Sequence, residues 1–112
     1  MEHIISGKIG EGLAAKFLKQ NGYEIVAYNY RNYIGEIDLI AQKDDILSFV
    51  EVKYRTNAKF GLPREAVGIK KQRTIRLVAE IYLQHCEENY REFSFDVLEV
   101  LNDEIKHIKN CF

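Results

Sequence analysis

The sequence predicts an α/β domain in which a mixed sheet carries helices on both faces. Two stretches, 3–20 and about 70–85, repeat with the 3.6-residue period of a helix, and runs rich in Ile, Val, Phe and Tyr lie between and after them. In the first of those runs Tyr23, Ile25 and Ala27 alternate with Val26, Tyr28 and Tyr30, so both faces are apolar. That is the pattern of a strand covered on both sides. The order helix, three strands, helix, strand, strand suits helices packed on opposite faces of one sheet. A chain of 112 residues is long enough for one domain with a single core. Residues 1–112 therefore read as one unit, with 103–112 as a peripheral strand or a flexible end.

Along the first helix, Gly7, Gly10, Ala14, Phe17 and Leu18 share one arc, with Leu13 at its edge. Small residues on that arc imply a close approach to the sheet. Glu11 lies on its flank, roughly 60° from Ala14 at ~100° per residue. Asn21-Gly22 ends the helix with a pair that tolerates left-handed backbone. Tyr23 to Arg31 is a strand, and Arg31-Asn32-Tyr33 leads to Gly35, interleaving basic and aromatic groups. Tyrosines at strand ends are most often packing residues, and Arg31 is the candidate here for touching a phosphate.

Glu36 to Gln42 and Ile46 to Arg55 read as two strands folded back on each other around Asp44-Asp45. If the turn is symmetric about that peptide, with a loop of two or four residues, Lys43 faces Ile46. The same register sets Asp38 opposite Glu51 and Glu36 opposite Lys53. With a side-chain period of two, Glu51 and Lys53 share a face. Past the hairpin, Thr56 to Leu62 is a polar loop, and Pro63 suits the start of a helix. In the helix of about 70–85 the stripe is Thr74, Leu77, Val78, Ile81, Tyr82 and His85, with Gln72 pointing away from it. Lys70 and Lys71 project at its N-terminal end, where they either snorkel from the core rim or reach toward phosphate. Phe93 to Leu101 is a strand on which Asp96 reads as a lone surface acid. Asn102-Asp103 turns the chain into Glu104 to Cys111.

The hairpin contains a conflict. Carboxylates directly across a ladder have Cβ atoms about 4.5–5.5 Å apart and destabilise the pair. At about 4 Å their repulsion is roughly 1 kcal/mol in water and roughly 4 at an effective dielectric near 20. A divalent cation reverses that sign, because converging carboxylate oxygens suit Mg²⁺ or Mn²⁺. The hairpin therefore reads as half of a metal site.

Asp38 on one strand with Glu51-Val52-Lys53 on the next resembles the PD-(D/E)xK signature of restriction-endonuclease-like nucleases. The fuller strings Gly35-Glu36-Ile37-Asp38-Leu39-Ile40-Ala41 and Phe49-Val50-Glu51-Val52-Lys53-Tyr54-Arg55 are similar to the YraN-like family of small bacterial proteins, whose fold is related to that of Holliday-junction resolvases. Ile37 stands where the signature has proline, a position that carries no chemistry. The resemblance runs from about Gly7 to Val100. It implies a restriction-endonuclease-like α/β/α core and metal-dependent cleavage of nucleic acid, DNA rather than RNA, with branched or structured DNA as one substrate class. It implies Asp38, Glu51 and the Val52 carbonyl as ligands to Mg²⁺ or Mn²⁺. Glu11 follows as a further acid, since Gly10-Glu11-x-x-Ala14 matches the family pattern. Lys53 then either orients the attacking water or neutralises developing charge. Glu36 either tunes Lys53 or forms a plain ion pair with it. The resolvase likeness also implies a homodimer.

Charge is distributed to match. The net figure is −1, yet Lys53 to Arg76 holds eight basic residues, among them Arg55, Lys70 and Lys71, against the single acid Glu65. From Cys86 onward seven acids face three bases. A cationic zone after a carboxylate hairpin lies where a polyanion would approach. No run reaches the ~20 apolar residues of a membrane helix, and the N-terminus lacks a signal pattern. Cys86 and Cys111 form neither a metal spacing nor a disulfide framework. The expected location is the cytoplasm. The alternative function is a non-catalytic module that keeps the fold and binds nucleic acid or protein.

Overall fold

The computed structural model describes residues 7–55, 67–102 and 104–112, with side chains from residue 12 to residue 54 in the first of these segments. The elements follow the expected order: α1 (Gly7–Gln20), β1 (Glu24–Arg31), β2 (Glu36–Lys43), β3 (Ile46–Arg55), α2 (Ile69–Gln84), β4 (Glu92–Leu101) and β5 (Glu104–Ile108). The strands form one sheet in sequence order, antiparallel except for β3 and β4, which run parallel. A parallel pair needs a crossover, and α2 lies in it. The chain is thus the mixed α/β sheet expected, consistent with a restriction-endonuclease-like core. Among the described residues no helix is long and apolar enough to cross a membrane.

Two apolar clusters lie on opposite faces of the sheet. Ala14, Ala15 and Leu18 of α1 cover Leu39, Ala41, Val50, Val52, Leu98 and Val100. Ile75, Val78 and Ala79 of α2 cover Ile37, Ile40, Leu47, Phe49 and Val97. The expected stripe on α2 is corrected here: Leu77 is exposed, and Ile75 with Ala79 takes its place beside Val78. The side of the helix with the small Ala79 faces the sheet, which lets the helix sit close. Gln72 also lies on that side, and its Nε2 donates to the Val67 carbonyl at 2.8 Å. At the end of α1 the chain reverses through Gly22, whose φ of 91° lies in the left-handed region.

The hairpin turn has the tighter of the two expected forms. Asp44 and Asp45 both take positive φ, 53° and 66°, as a two-residue type I′ loop requires. Short polar side chains tolerate that backbone, and the twist it imposes matches the strands.

Gly35 sits where the turn after β1 meets α2. A Cβ there would stand 2.8 Å from Thr74 Cγ2 and 3.5 Å from Val78 Cγ2. Thr74 is short and β-branched, so it has no room to yield. Gly35→Ala is expected to cost about 1–3 kcal/mol through overpacking. A lowered urea midpoint at unchanged slope is the measurement, with Gly12→Ala, where nothing lies within 4 Å, as the control.

A forked candidate site between β2 and β3

The expected register holds along the hairpin and then stops. Lys43 pairs with Ile46, and the ladder continues through Gln42–Leu47, Ala41–Ser48 and Ile40–Phe49 to Leu39–Val50. Beyond Val50, β3 stays with β4, pairing through Arg55–Leu101. Meanwhile β2 stays with β1, pairing through Arg31–Glu36. The two ribbons therefore part just past Leu39, and Asp38 and Glu51 stand at the fork.

A slip in side-chain alternation marks the same point. Ile37 and Ile40, three residues apart, both pack under α2, while Leu39 packs under α1. Strict alternation would put Ile37 and Ile40 on opposite faces. Asn29, between the paired Tyr28 and Tyr30 of β1, has a φ of 49°, so the neighbouring strand bends there too. The consequence shows in one bond: the Val52 N–H donates to Asp38 Oδ2 at 2.8 Å. A side-chain carboxylate has taken the place of a backbone carbonyl in the ladder. A residue's N–H and C=O point to the same neighbouring strand in an antiparallel pair, so the Val52 carbonyl faces the gap as well.

Glu51 lies between Val50 and Val52, both under α1, and so faces α2. It is 5% exposed. Its Oε2 meets Lys71 Nζ at 3.0 Å and Lys53 Nζ at 3.9 Å. Its Oε1 is buried and has no hydrogen-bonding partner among the described residues. Burying half a carboxylate without a partner is costly in a structure built for stability alone.

The acids act together on Lys71. Burial disfavours its ammonium, but the bond to Glu51 and the charges of Glu51, Asp38 and Glu36 outweigh that and raise its pKa above the ordinary 10.5. A raised folded-state value means that this stabilisation is fully present below about pH 10.5 and is lost as pH climbs through the folded value. Wild type is therefore expected to exceed Lys71→Met in stability at pH 7, with the gap closing as pH climbs through the raised folded value. Paired urea titrations in chelator across that range test it.

The remaining candidates divide. Arg31 forms an ion pair with Glu36, Nη2 to Oε1 at 2.8 Å, and its side chain is 71% exposed. Glu36 was expected to face Lys53; its ion-pair partner is instead Arg31 on β1, because β2 leaves β3 before reaching that pair. Lys70 is exposed at the start of α2. Lys71, expected either at the core rim or on phosphate, is brought into the site on Glu51. Glu11 belongs to α1, which covers the opposite face, and its side chain lies outside the described residues. The side chain of Arg55 does as well. Tyr33, in the turn beside the fork, is 88% exposed.

Asp96 was expected at the surface and is fully buried. It accepts bonds from the Ser94 hydroxyl and, at 3.0 Å, from the Asn110 N–H, while His107 Nε2 lies 2.7 Å from its other oxygen. It faces α1, alongside Val50 and Leu98, and so does not share a face with Glu51. The signal was available: Ser94, Asp96, Leu98 and Val100 alternate on one face, so an apolar stripe continues into Asp96.

Comparison with known proteins agrees along nearly the whole chain. The model of Uncharacterised protein family UPF0102 matches residues 10–100. A UPF0102 protein of Acetivibrio thermocellus is 45% identical over 117 residues, covering 96% of this chain and 90% of its own length. One from Lachnoclostridium phytofermentans is 45% identical over 114 residues, covering 100% and 96% respectively. One from Alkaliphilus oremlandii is 47% identical over 112 residues, covering 95% and 96%.

Proposed function

This chain belongs to the uncharacterised protein family UPF0102, and we propose that it is a metal-dependent nuclease that hydrolyses phosphodiester bonds in nucleic acid. The observation that carries this reading is Glu51 Oε1, buried without a hydrogen-bonding partner among the described residues, at the strand fork where the Val52 N–H holds Asp38. An oxygen donor set of two carboxylates and a backbone carbonyl fits Mg²⁺ or Mn²⁺. Asp38, Glu51 and the Val52 carbonyl would hold the cation. When bound, it supplies Lewis-acid stabilisation of negative charge on the scissile phosphate.

The chain's own residues do the rest. The Val52 N–H fixes the Asp38 carboxylate. Lys53, on the same face as Glu51, has three movable donors. It can hold the attacking water in line or donate to the oxygens that gain charge in the transition state. Arg31, Lys70 and Arg55 would supply cations for backbone phosphates, the sequence-independent part of such binding. A two-fold pair of copies would set two forks for symmetric cuts in branched DNA. A cytoplasmic location suits these roles.

The second reading is a non-catalytic nucleic-acid or protein-binding module. The 3.0 Å contact between Lys71 and Glu51 favours it, since an ion pair can be structural. Cleavage assays on junction, flap, single-stranded and duplex substrates with Mg²⁺ or Mn²⁺ separate the two. The nuclease reading expects cleavage that disappears in Asp38→Ala and Lys53→Ala. Cleavage that survives both substitutions would come from a contaminant, and salt-dependent binding without cleavage would support the module.

A further inference from the structure

Lys71 reaches the fork from α2, on a stem separate from the hairpin that carries the acids. Its ammonium touches Glu51 Oε2 at 3.0 Å, and the charges of Asp38 and Glu36 also act on it. It satisfies one oxygen of Glu51 and leaves the other without a partner among the described residues. Its side chain is 47% exposed, so it can move to water without first opening the core. Lysine is a compact charge on a flexible stem, suited to being displaced. Lys53 differs: it stands 3.9 Å from the same oxygen, on the strand that carries Glu51 itself.

We propose that Lys71 is an internal stand-in for the divalent cation: it holds Glu51 until a cation binds, is displaced by it, and then offers its ammonium to a backbone phosphate of the nucleic acid. This rests on the metal-site reading above and adds an order of events, with the cation first and the phosphate second. A single positive charge from Lys71 partly balances the acids, whereas a divalent ion can take the unpartnered Oε1 as well. The exchange makes tight nucleic-acid binding conditional on the cation.

The test uses the full chain and Mn²⁺ as the probe, with affinity read by calorimetry for wild type, Lys71→Met, Lys71→Gln and Lys53→Met. Removing a contact competitor is expected to tighten Mn²⁺ binding about tenfold in both Lys71 variants. Lys53→Met, which removes the same charge from farther away, is expected to change it by no more than about threefold. In chelator the Lys71 variants are expected to melt on the order of 5 °C below wild type and to regain that loss with Mn²⁺. Binding to a phosphorothioate oligonucleotide in Mn²⁺ is expected to show a salt slope lower by about one in Lys71→Met, with no such difference in chelator. Unchanged Mn²⁺ affinity in the Lys71 variants, or equal tightening in Lys53→Met, overturns the stand-in role and leaves the metal site intact. Absence of Mn²⁺ binding to every form, wild type included, overturns both.

Discussion

Glu51→Met is expected to melt about 5 °C higher than wild type in chelator and, on the nuclease reading, to lose about 10³-fold or more of its cleavage activity. Glu51 is 5% exposed, with one oxygen on Lys71 and the other unpartnered among the described residues. A carboxylate in that position has lost most of its hydration and regained only part of it from the protein. Replacing such a group with an apolar side chain of similar volume is commonly neutral or stabilising, here by about 1 kcal/mol. That gain corresponds to several degrees in a domain of this size. Methionine matches the length of glutamate, and its flexible thioether adapts to the space. Lys71 is half-exposed and returns to water, so its loss of a partner costs little. Activity is expected to fall by about 10³-fold or more, because the group that stabilises transition-state charge loses an anchor. Mn²⁺ should raise the melting temperature of wild type and not of the variant. A lower melting temperature in chelator would mean that the pair with Lys71 outweighs desolvation, which favours the non-catalytic reading.

Asp96→Ala is expected to be the most damaging single change, costing about 3–5 kcal/mol. Asp96 is fully buried and gathers Ser94, Asn110 and His107 onto its two oxygens. Those contacts tie the chain beyond β5 back to β4, since Asn110 also accepts from Ser94 at 3.0 Å. Removing the acceptor takes the partner from the His107 ring, whose side chain is 9% exposed, and one of two partners from the buried Ser94 hydroxyl, and it leaves a cavity where the carboxylate stood. Against a typical total of roughly 5–15 kcal/mol, that loss leaves a substantial unfolded population at growth temperature. Asp96→Asn keeps the volume and one acceptor oxygen, and should cost less. Urea midpoints measure both. Mn²⁺ affinity per folded molecule should be unchanged in Asp96→Asn, because Asp96 faces α1 and Glu51 faces α2. A matching loss of Mn²⁺ affinity would place Asp96 in the metal site.

The order of elements and the register near the turn were legible because they rest on local rules. Apolar period separates helix from strand, and a symmetric two-residue turn fixes every pair from Lys43–Ile46 to Leu39–Val50. The fork was not legible. It arises where β3 follows β4 and β2 follows β1, a competition between non-local partners with no trace in the spacing of Asp38 and Glu51. The same competition gives Glu36 to Arg31 instead of Lys53. The buried face of α2 was misjudged because Leu77 and Ile75 carry equal weight in a periodic pattern. Only the fit against Gly35 and the sheet decides which of them turns inward. Asp96 was misplaced for a related reason: a single acid reads as exposed until its partners, up to fourteen residues away in sequence, are folded onto it. Sequence position offers Lys71 either the core rim or a phosphate, and its reach to Glu51 depends on where the crossover sets α2.

The claim on which the functional reading turns is that the parted strands hold a divalent cation between Asp38 and Glu51. Anomalous diffraction from a crystal soaked in Mn²⁺ tests it most directly. The expected result is a peak bonded to oxygens of both carboxylates, with the Val52 carbonyl in its shell and the Lys71 ammonium moved off Glu51. A peak at another place, or none at a concentration that saturates solution binding while Lys71 stays on Glu51, would contradict it.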